Sequence, residues 1–167
     1  ANTAFGITAM DAITTGDNNT AVGNSALGAN TTGHENTAIG KEAMSINTTG
    51  TLNTAIGYRA LQANTTASDN TAMGNAALIS NTTGADNTAV GSESLYLNTT
   101  GASNVAVGSE ALKANTTGTR NLAIGYQAYT ASDTENDNLA IGYQAMVTNT
   151  AGGTLNVAIG NYALDAL

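Results

Sequence analysis

Short apolar stretches recur along this chain at a fixed interval, each framed by asparagine and glycine. The pentad Asn-x-Ala-apolar-Gly begins at Asn2, Asn19, Asn36, Asn53, Asn70, Asn87, Asn104, Asn121, Asn138 and Asn156, so successive copies lie 17 residues apart eight times and 18 apart once. A full unit, Asn36 to Leu52, reads Asn-Thr-Ala-Ile-Gly-Lys-Glu-Ala-Met-Ser-Ile-Asn-Thr-Thr-Gly-Thr-Leu. Self-similarity at one period is the signature of a repeat array. A unit of 17 residues is too short for a helical hairpin, and Asn, Thr and Gly are weak helix formers. Short strands separated by turns fit the pattern.

Counting the pentad Asn as position one, position four is apolar in every unit: Phe5, Val22, Ile39, Ile56, Met73, Val90, Val107, Ile124, Ile141 and Ile159. Position two is Thr in early units and becomes Val105, Leu122, Leu139 and Val157 later. Alternate residues of a strand share a face, so positions two and four are predicted to point into a core. A second strand is predicted around position nine (Met10, Leu27, Met44, Leu61, Leu78, Leu95, Leu112, Tyr129, Met146, Leu164), with position eleven on the same face.

The expected fold is all-β: a parallel β-solenoid of about ten 17-residue coils, a single repeat domain spanning residues 1–167 with no separate capping domain. At about 4.8 Å per coil the rod would be about 48 Å long. Glycine at position five (Gly6 to Gly160) supplies the backbone geometry for leaving the strand. Gly16, Gly33, Gly50, Gly84, Gly101 and Gly118 mark a second corner, and the absence of proline keeps every N–H available to a ladder. Both the pentad asparagines (Asn2 to Asn156) and the column Asn30, Asn47, Asn64, Asn81, Asn98 and Asn115 are predicted to stack as amide ladders.

Position three is alanine in all ten units: Ala4, Ala21, Ala38, Ala55, Ala72, Ala89, Ala106, Ala123, Ala140 and Ala158. Lying between two inward residues, these side chains are expected to point outward, as a self-association surface that another backbone approaches closely. Crowding in a thin coil is the alternative explanation. Position eight, almost always alanine, is read the same way. The terminal units carry no polar cap, which suggests a segment of a longer fibre or subunits stacked end to end.

Composition narrows the chemistry. With no cysteine and one histidine, His34, beside Glu35, thiolate and zinc chemistry have no residues to use. Lys+Arg 4 against Asp+Glu 12, a net charge of -8, argues against nucleic acid and anionic lipid. No apolar run is long enough to insert into a membrane. No catalytic residue and no cofactor are expected. Weak metal candidates are Asp133, Glu135 and Asp137, where unit eight replaces Asn-Thr-Thr-Gly with Ser-Asp-Thr-Glu. The extra residue of unit nine, near Gly152 and Gly153, reads as a corner bulge. Glu93 and Glu110 are like charges in adjacent coils, expected to splay into water.

Three surface columns suggest binding alternatives. Tyr58, Tyr126 and Tyr143 at position six can form a carbohydrate-binding strip. The Thr column (Thr14, Thr31, Thr48, Thr65, Thr82, Thr99, Thr116) with its following neighbours offers a hydroxyl array for ice, although consecutive threonines in a strand point to opposite faces. The asparagine amides themselves can bind sugar.

Asn104-Val105-Ala106-Val107-Gly108, Asn121-Leu122-Ala123-Ile124-Gly125 and Asn156-Val157-Ala158-Ile159-Gly160 resemble the head repeats of YadA-type trimeric autotransporter adhesins. The longer unit, with Asn-Thr-Thr-Gly after Ala-Leu, is similar to repeat regions of phage and bacterial tail-fibre-like proteins. The resemblance covers essentially the whole chain. It implies a left-handed parallel β-roll, often trimeric, exposed outside the cell, at its surface or on a virion fibre. The functional expectation is a non-catalytic structural rod whose partner is itself, as a lateral trimer or end-to-end filament, with a cell-surface glycan or other receptor as a further partner. An ice- or carbohydrate-binding solenoid is the alternative.

Overall fold

The computed structural model describes residues 1–131, 133–148 and 153–165; of the expected bulge near Gly152 and Gly153, Gly152 lies outside them. The fold is an all-β parallel solenoid. Ten three-residue strands, β1 (Thr3–Phe5), β2 (Thr20–Val22), β3 (Thr37–Ile39), β4 (Thr54–Ile56), β5 (Thr71–Met73), β6 (Thr88–Val90), β7 (Val105–Val107), β8 (Leu122–Ile124), β9 (Leu139–Ile141) and β10 (Val157–Ile159), form one sheet. Strand order is sequence order and every neighbouring pair is parallel. Register never slips: Thr37 lies opposite Thr54, Ala38 opposite Ala55 and Ile39 opposite Ile56, and the same holds in each coil.

The facing of the strands is the reverse of the sequence expectation. Ala21, Ala38, Ala55, Ala72, Ala89, Ala106, Ala123 and Ala140 are fully buried and Ala158 nearly so, whereas positions two and four are half-buried or exposed. Ala4, in the first coil, is exposed. The reason is the width of the interior. Behind the sheet lie the side chains of positions eight and nine and two columns of asparagine, leaving room for a methyl group and nothing larger. The crowding explanation of the alanine column is therefore the one the packing supports.

The predicted second strand is absent. In its place the chain makes a tight turn, with non-glycine residues of positive φ at positions seven and nine, such as Ser25 (φ 57°) and Leu27 (φ 51°). This alternation turns positions eight and nine inward together, as Ala26 and Leu27 show, and leaves position eleven (Ile46, Leu97) exposed. Each left-handed residue costs roughly 1–2 kcal/mol. Intercoil bonding offsets the cost. The Ser25 N–H donates to Ile7 O in the coil before (2.9 Å), while the Leu27 N–H donates to Ala43 O in the coil after (3.1 Å).

Position five requires glycine for two reasons at once. Its φ lies between 124° and 145°, and from Gly6 to Gly142 a Cβ would sit 2.2–2.6 Å from the carbonyl oxygen of the matching glycine in the next coil, whereas at Gly160, in the last coil, it would meet nothing within 4 Å. Position fifteen is less strict. Its glycines also approach the next coil closely, yet Ala67 and Glu135 occupy the same place, both buried.

Two asparagine columns fill the rest of the interior. In the first, the Asn36 backbone N–H donates to Asn19 Oδ1 at 2.9 Å, and Asn36 Nδ2 donates to the same oxygen at 3.2 Å. In the second, Asn47 Nδ2 donates to Asn30 Oδ1 at 2.8 Å. The columns are tied together at position fifteen, where Gly50 O accepts from both Asn36 Nδ2 (2.8 Å) and Asn47 Nδ2 (3.1 Å). Among the described residues no buried side-chain nitrogen or oxygen lacks a partner.

Coil eight breaks the second column and repairs it locally. Glu135 turns its carboxylate inward to accept the backbone N–H groups of Asp133 (3.0 Å) and Thr134 (3.1 Å). Tyr129, standing where other coils have Leu or Met, receives a hydrogen bond from Asn138 Nδ2 on its hydroxyl at 2.7 Å.

Two outcomes follow for thermal melting monitored by circular dichroism. Gly91→Ala combines the disfavoured φ with the steric approach and is expected to lose at least ~2 kcal/mol, whereas Gly84→Ala, in the column that holds Ala67, loses less. Asn70→Ala strands the buried Asn87 backbone N–H that donates to Asn70 Oδ1, while the Asn87 amide keeps Gly101 O, and is expected to cost about 1–3 kcal/mol. The exposed Asn75→Ala should melt within about 0.5 kcal/mol of the parent.

Candidate association surface

With alanine facing in, the outer face of the sheet carries the larger side chains. Two columns run along it without a break. Position two contributes Thr3, Thr20, Thr37, Thr54, Thr71 and Thr88, then Val105, Leu122, Leu139 and Val157; position four contributes the apolar series from Phe5 to Ile159. Their exposure is substantial even in mid-rod: Ile39 is 39% exposed, Met73 40% and Ile124 38%. The strip is about 43 Å long and about 10 Å wide, from ten strands at about 4.8 Å spacing and three residues at about 3.3 Å rise. No strand residue is charged. The strip is uncharged and its position-four column is apolar without a break, which makes it the candidate interaction surface of the described residues.

Charge is confined to the turns. Arg59 Nε pairs with Glu42 Oε2 at 2.7 Å, and Lys41 stands 3.5 Å from the same carboxylate. Lys113 pairs with Glu93 at 2.7 Å and Glu110 at 3.5 Å. Arg120 grips Asp137 with two hydrogen bonds, 2.6 and 2.8 Å. The Arg59 hydrogen bond holds the Glu42 carboxyl below its ordinary range, and Arg120 does the same to Asp137. For Glu110 the leading cause of a lowered pKa is the hydrogen bond from the Gln127 amide, and the hydrogen bond to Glu93 raises Lys113. Each Lys and Arg is thus engaged by an acid of its own chain.

The residues singled out from sequence fall as follows. The alanines of position three from Ala21 to Ala158 are core residues, so they form no outer contact surface in the folded coil; position eight is buried likewise from Ala26 to Ala145. The pentad asparagines from Asn19 to Asn138 are enclosed, with amides bonded to other coils and to the carbonyls of the second corner, and present nothing to a sugar, whereas Asn2 is exposed and Asn156 half-buried in the end coils. Asp133, Glu135 and Asp137 diverge: Asp133 accepts the Thr116 hydroxyl, Glu135 turns inward, and Asp137 pairs with Arg120. Among the described residues no three acids or histidines gather as a metal site. Glu93 and Glu110 share Lys113 instead of splaying apart. His34 is exposed in its corner.

The binding columns are modified in the same way. Tyr126 and Tyr143 stack with centroids 5.3 Å apart, Tyr162 meets Tyr143 edge-on, and the Tyr58 ring lies under the Arg59 guanidinium. The stacking covers one face of each ring, and both rings remain exposed. Consecutive threonines do not oppose one another, because the inward residues beside them are Asn30 and Gly33; Thr31 is half-buried and Thr32 exposed. The half-buried hydroxyls are already committed, as Thr31 Oγ1 donates to Thr48 O at 3.0 Å and Thr48 Oγ1 to Thr65 O at 3.0 Å.

Sequence reasoning missed the outward strip itself. The signal was the variation among units. A core of fixed width accepts one side chain, as position three does, whereas position four accepts Phe, Val, Ile and Met because the space outside it is open. Comparison with protein-family models, with curated protein sequences and with solved structures finds no match.

Proposed function

We propose that the chain is a non-catalytic structural rod that associates side by side with copies of itself, as a segment of an extracellular fibre, a cell-surface adhesin or a virion fibre. The observation that carries this reading is the uncharged strip of positions two and four, which runs the length of the sheet while the core behind it is already filled. It is a property of every coil and does not depend on either end of the chain.

The rest of the molecule suits the role. Backbone ladders circle each lap, amide ladders run inside it, and each coil bonds to the next in the same way, so stability grows with the number of coils. Two facing strips would cover about 900 Å² of projected area, from the dimensions above, close to the roughly 1,000 Å² that a specific interface needs. Association therefore has to use the strip along most of its length.

Sedimentation velocity tests the reading. The unaltered chain is expected to sediment as an elongated oligomer at micromolar concentration. Ile56→Lys combined with Val107→Lys should give monomers with an unchanged circular dichroism spectrum, because the charges enter the strip and leave the core alone. Thr49→Lys combined with Thr100→Lys, on exposed corner residues, should leave the oligomer intact. A monomeric parent chain, or equal disruption by both pairs, contradicts the proposal.

A further inference from the structure

Two tyrosines of position six, Tyr58 in coil four and Tyr126 in coil eight, stand exposed on the turn that follows the sheet. Each has one side of its ring covered. The Arg59 guanidinium lies 4.9 Å and Lys41 Nζ 5.9 Å from the Tyr58 ring centroid. Lys41 belongs to coil three, and Arg59 reaches back to Glu42 of the same coil (2.7 Å). Both cations therefore cover the side of Tyr58 that faces coil three. Tyr126 is covered from the opposite direction, by Tyr143 of coil nine. The open side of each ring is turned toward the other ring.

Between the two rings position six holds Asn75, Ser92 and Ser109, side chains too short to fill the gap. The backbone ladder is unbroken there: the Glu93 N–H donates to Asn75 O, the Glu110 N–H to Ser92 O and the Gln127 N–H to Ser109 O, each at 2.9 Å. The coils thus keep their spacing, and four spacings of about 4.8 Å set the rings about 19 Å apart. The result is a shallow notch with an aromatic wall at each end. Along one side stand the carboxylates of Glu93 and Glu110, joined by Lys113 at 2.7 and 3.5 Å. Within the described residues the side chains of Asn75, Ser92 and Ser109 make no hydrogen bond.

We propose that this notch binds a short neutral oligosaccharide. The C–H face of a pyranose packs on an aromatic ring, while its hydroxyls need donors and acceptors beside it. Tyr58 and Tyr126 supply the rings, Glu93 and Glu110 accept, and the Asn75 amide and the serine hydroxyls do both. Other chemistries fit less well. A hydrocarbon ligand would leave those polar groups dried without partners. A nucleotide would stack, yet its phosphates would meet two carboxylates on a chain of net charge -8. An acidic sugar is disfavoured for the same reason. The sequence expectation of one tyrosine strip is thereby revised: the gap, and not the stack, offers two open rings. The notch belongs to the turn and not to the sheet strip, so sugar binding stands whether or not the rods associate side by side.

Isothermal titration of the full chain with maltotriose, cellotriose and triacetylchitotriose tests the site. At least one is expected to bind with a dissociation constant on the order of 1 mM, since a shallow open site buries little of its ligand. Tyr58→Ala and Tyr126→Ala should each weaken it by roughly two- to tenfold, the range for one lost aromatic contact. Ser109→Tyr is the sharper variant. Coils four, eight and nine already carry tyrosine at position six, so the fold accepts it. The new ring would lie on the open face of Tyr126 and abolish binding with an unchanged circular dichroism spectrum. Tyr162→Ala, beyond the stack, should bind as the parent does. Binding of none of the three sugars overturns the proposal, as does binding that Ser109→Tyr leaves intact. A loss on Tyr162→Ala equal to that on Tyr126→Ala would put the sugar on the outer stack and overturn the notch as well. Sedimentation of the same samples reads association separately, so the failure of one reading is distinguishable from the failure of the other.

Discussion

The constraint on which everything else depends is the height of one lap. Each turn of the chain has to rise by one strand spacing, about 4.8 Å, and every group inside the lap has to meet its own copy at that distance. An asparagine amide does so with one donor aimed at the oxygen of the coil below, as Asn53 does toward Asn36 (3.1 Å) and Asn64 toward Asn47 (2.9 Å). The peptide groups around the lap obey the same rule. What remains of the interior is narrow, and its width follows from this stacking of polar groups more than from any aliphatic core.

Narrowness explains the residue choices. Opposite the asparagines, the inward strand position holds a methyl group, the turn brings one alanine and one Leu or Met inward together, and glycine is needed where the chain leaves the strand. Larger apolar side chains are displaced to the outside of the sheet. The apolar outer face is thus a consequence of the packing inside, and the proposed lateral association is what such a face would be used for.

Much of the fold was legible in the sequence. The period, the parallel stacking in sequence order, the glycine of position five and the inward position nine all follow from the recurrence of single residues, because a solenoid converts a repeat directly into a column. Two things were not legible. The facing of a three-residue strand is ambiguous when both of its faces are apolar, and Thr-Ala-Ile offers a plausible core on either side; only the volume available behind Ala38 and Ala55 decides it. The turn after the strand was hidden because Leu27, Met44 and Leu61 take φ between 50 and 54°, a conformation that their intrinsic preferences disfavour and intercoil bonding imposes. Once the facing was inverted, the candidate surface moved from position three to positions two and four.

Thiol accessibility at one strip position tests the inverted facing and its use together. Val90→Cys introduces the chain's sole thiol at mid-rod. If Val90 faces outward and copies cover it, a small thiol reagent should modify the folded protein freely at high dilution and progressively more slowly as protein concentration rises. A thiol protected at every dilution would place this side chain in the core, and a rate independent of concentration would leave the strip without a second copy upon it.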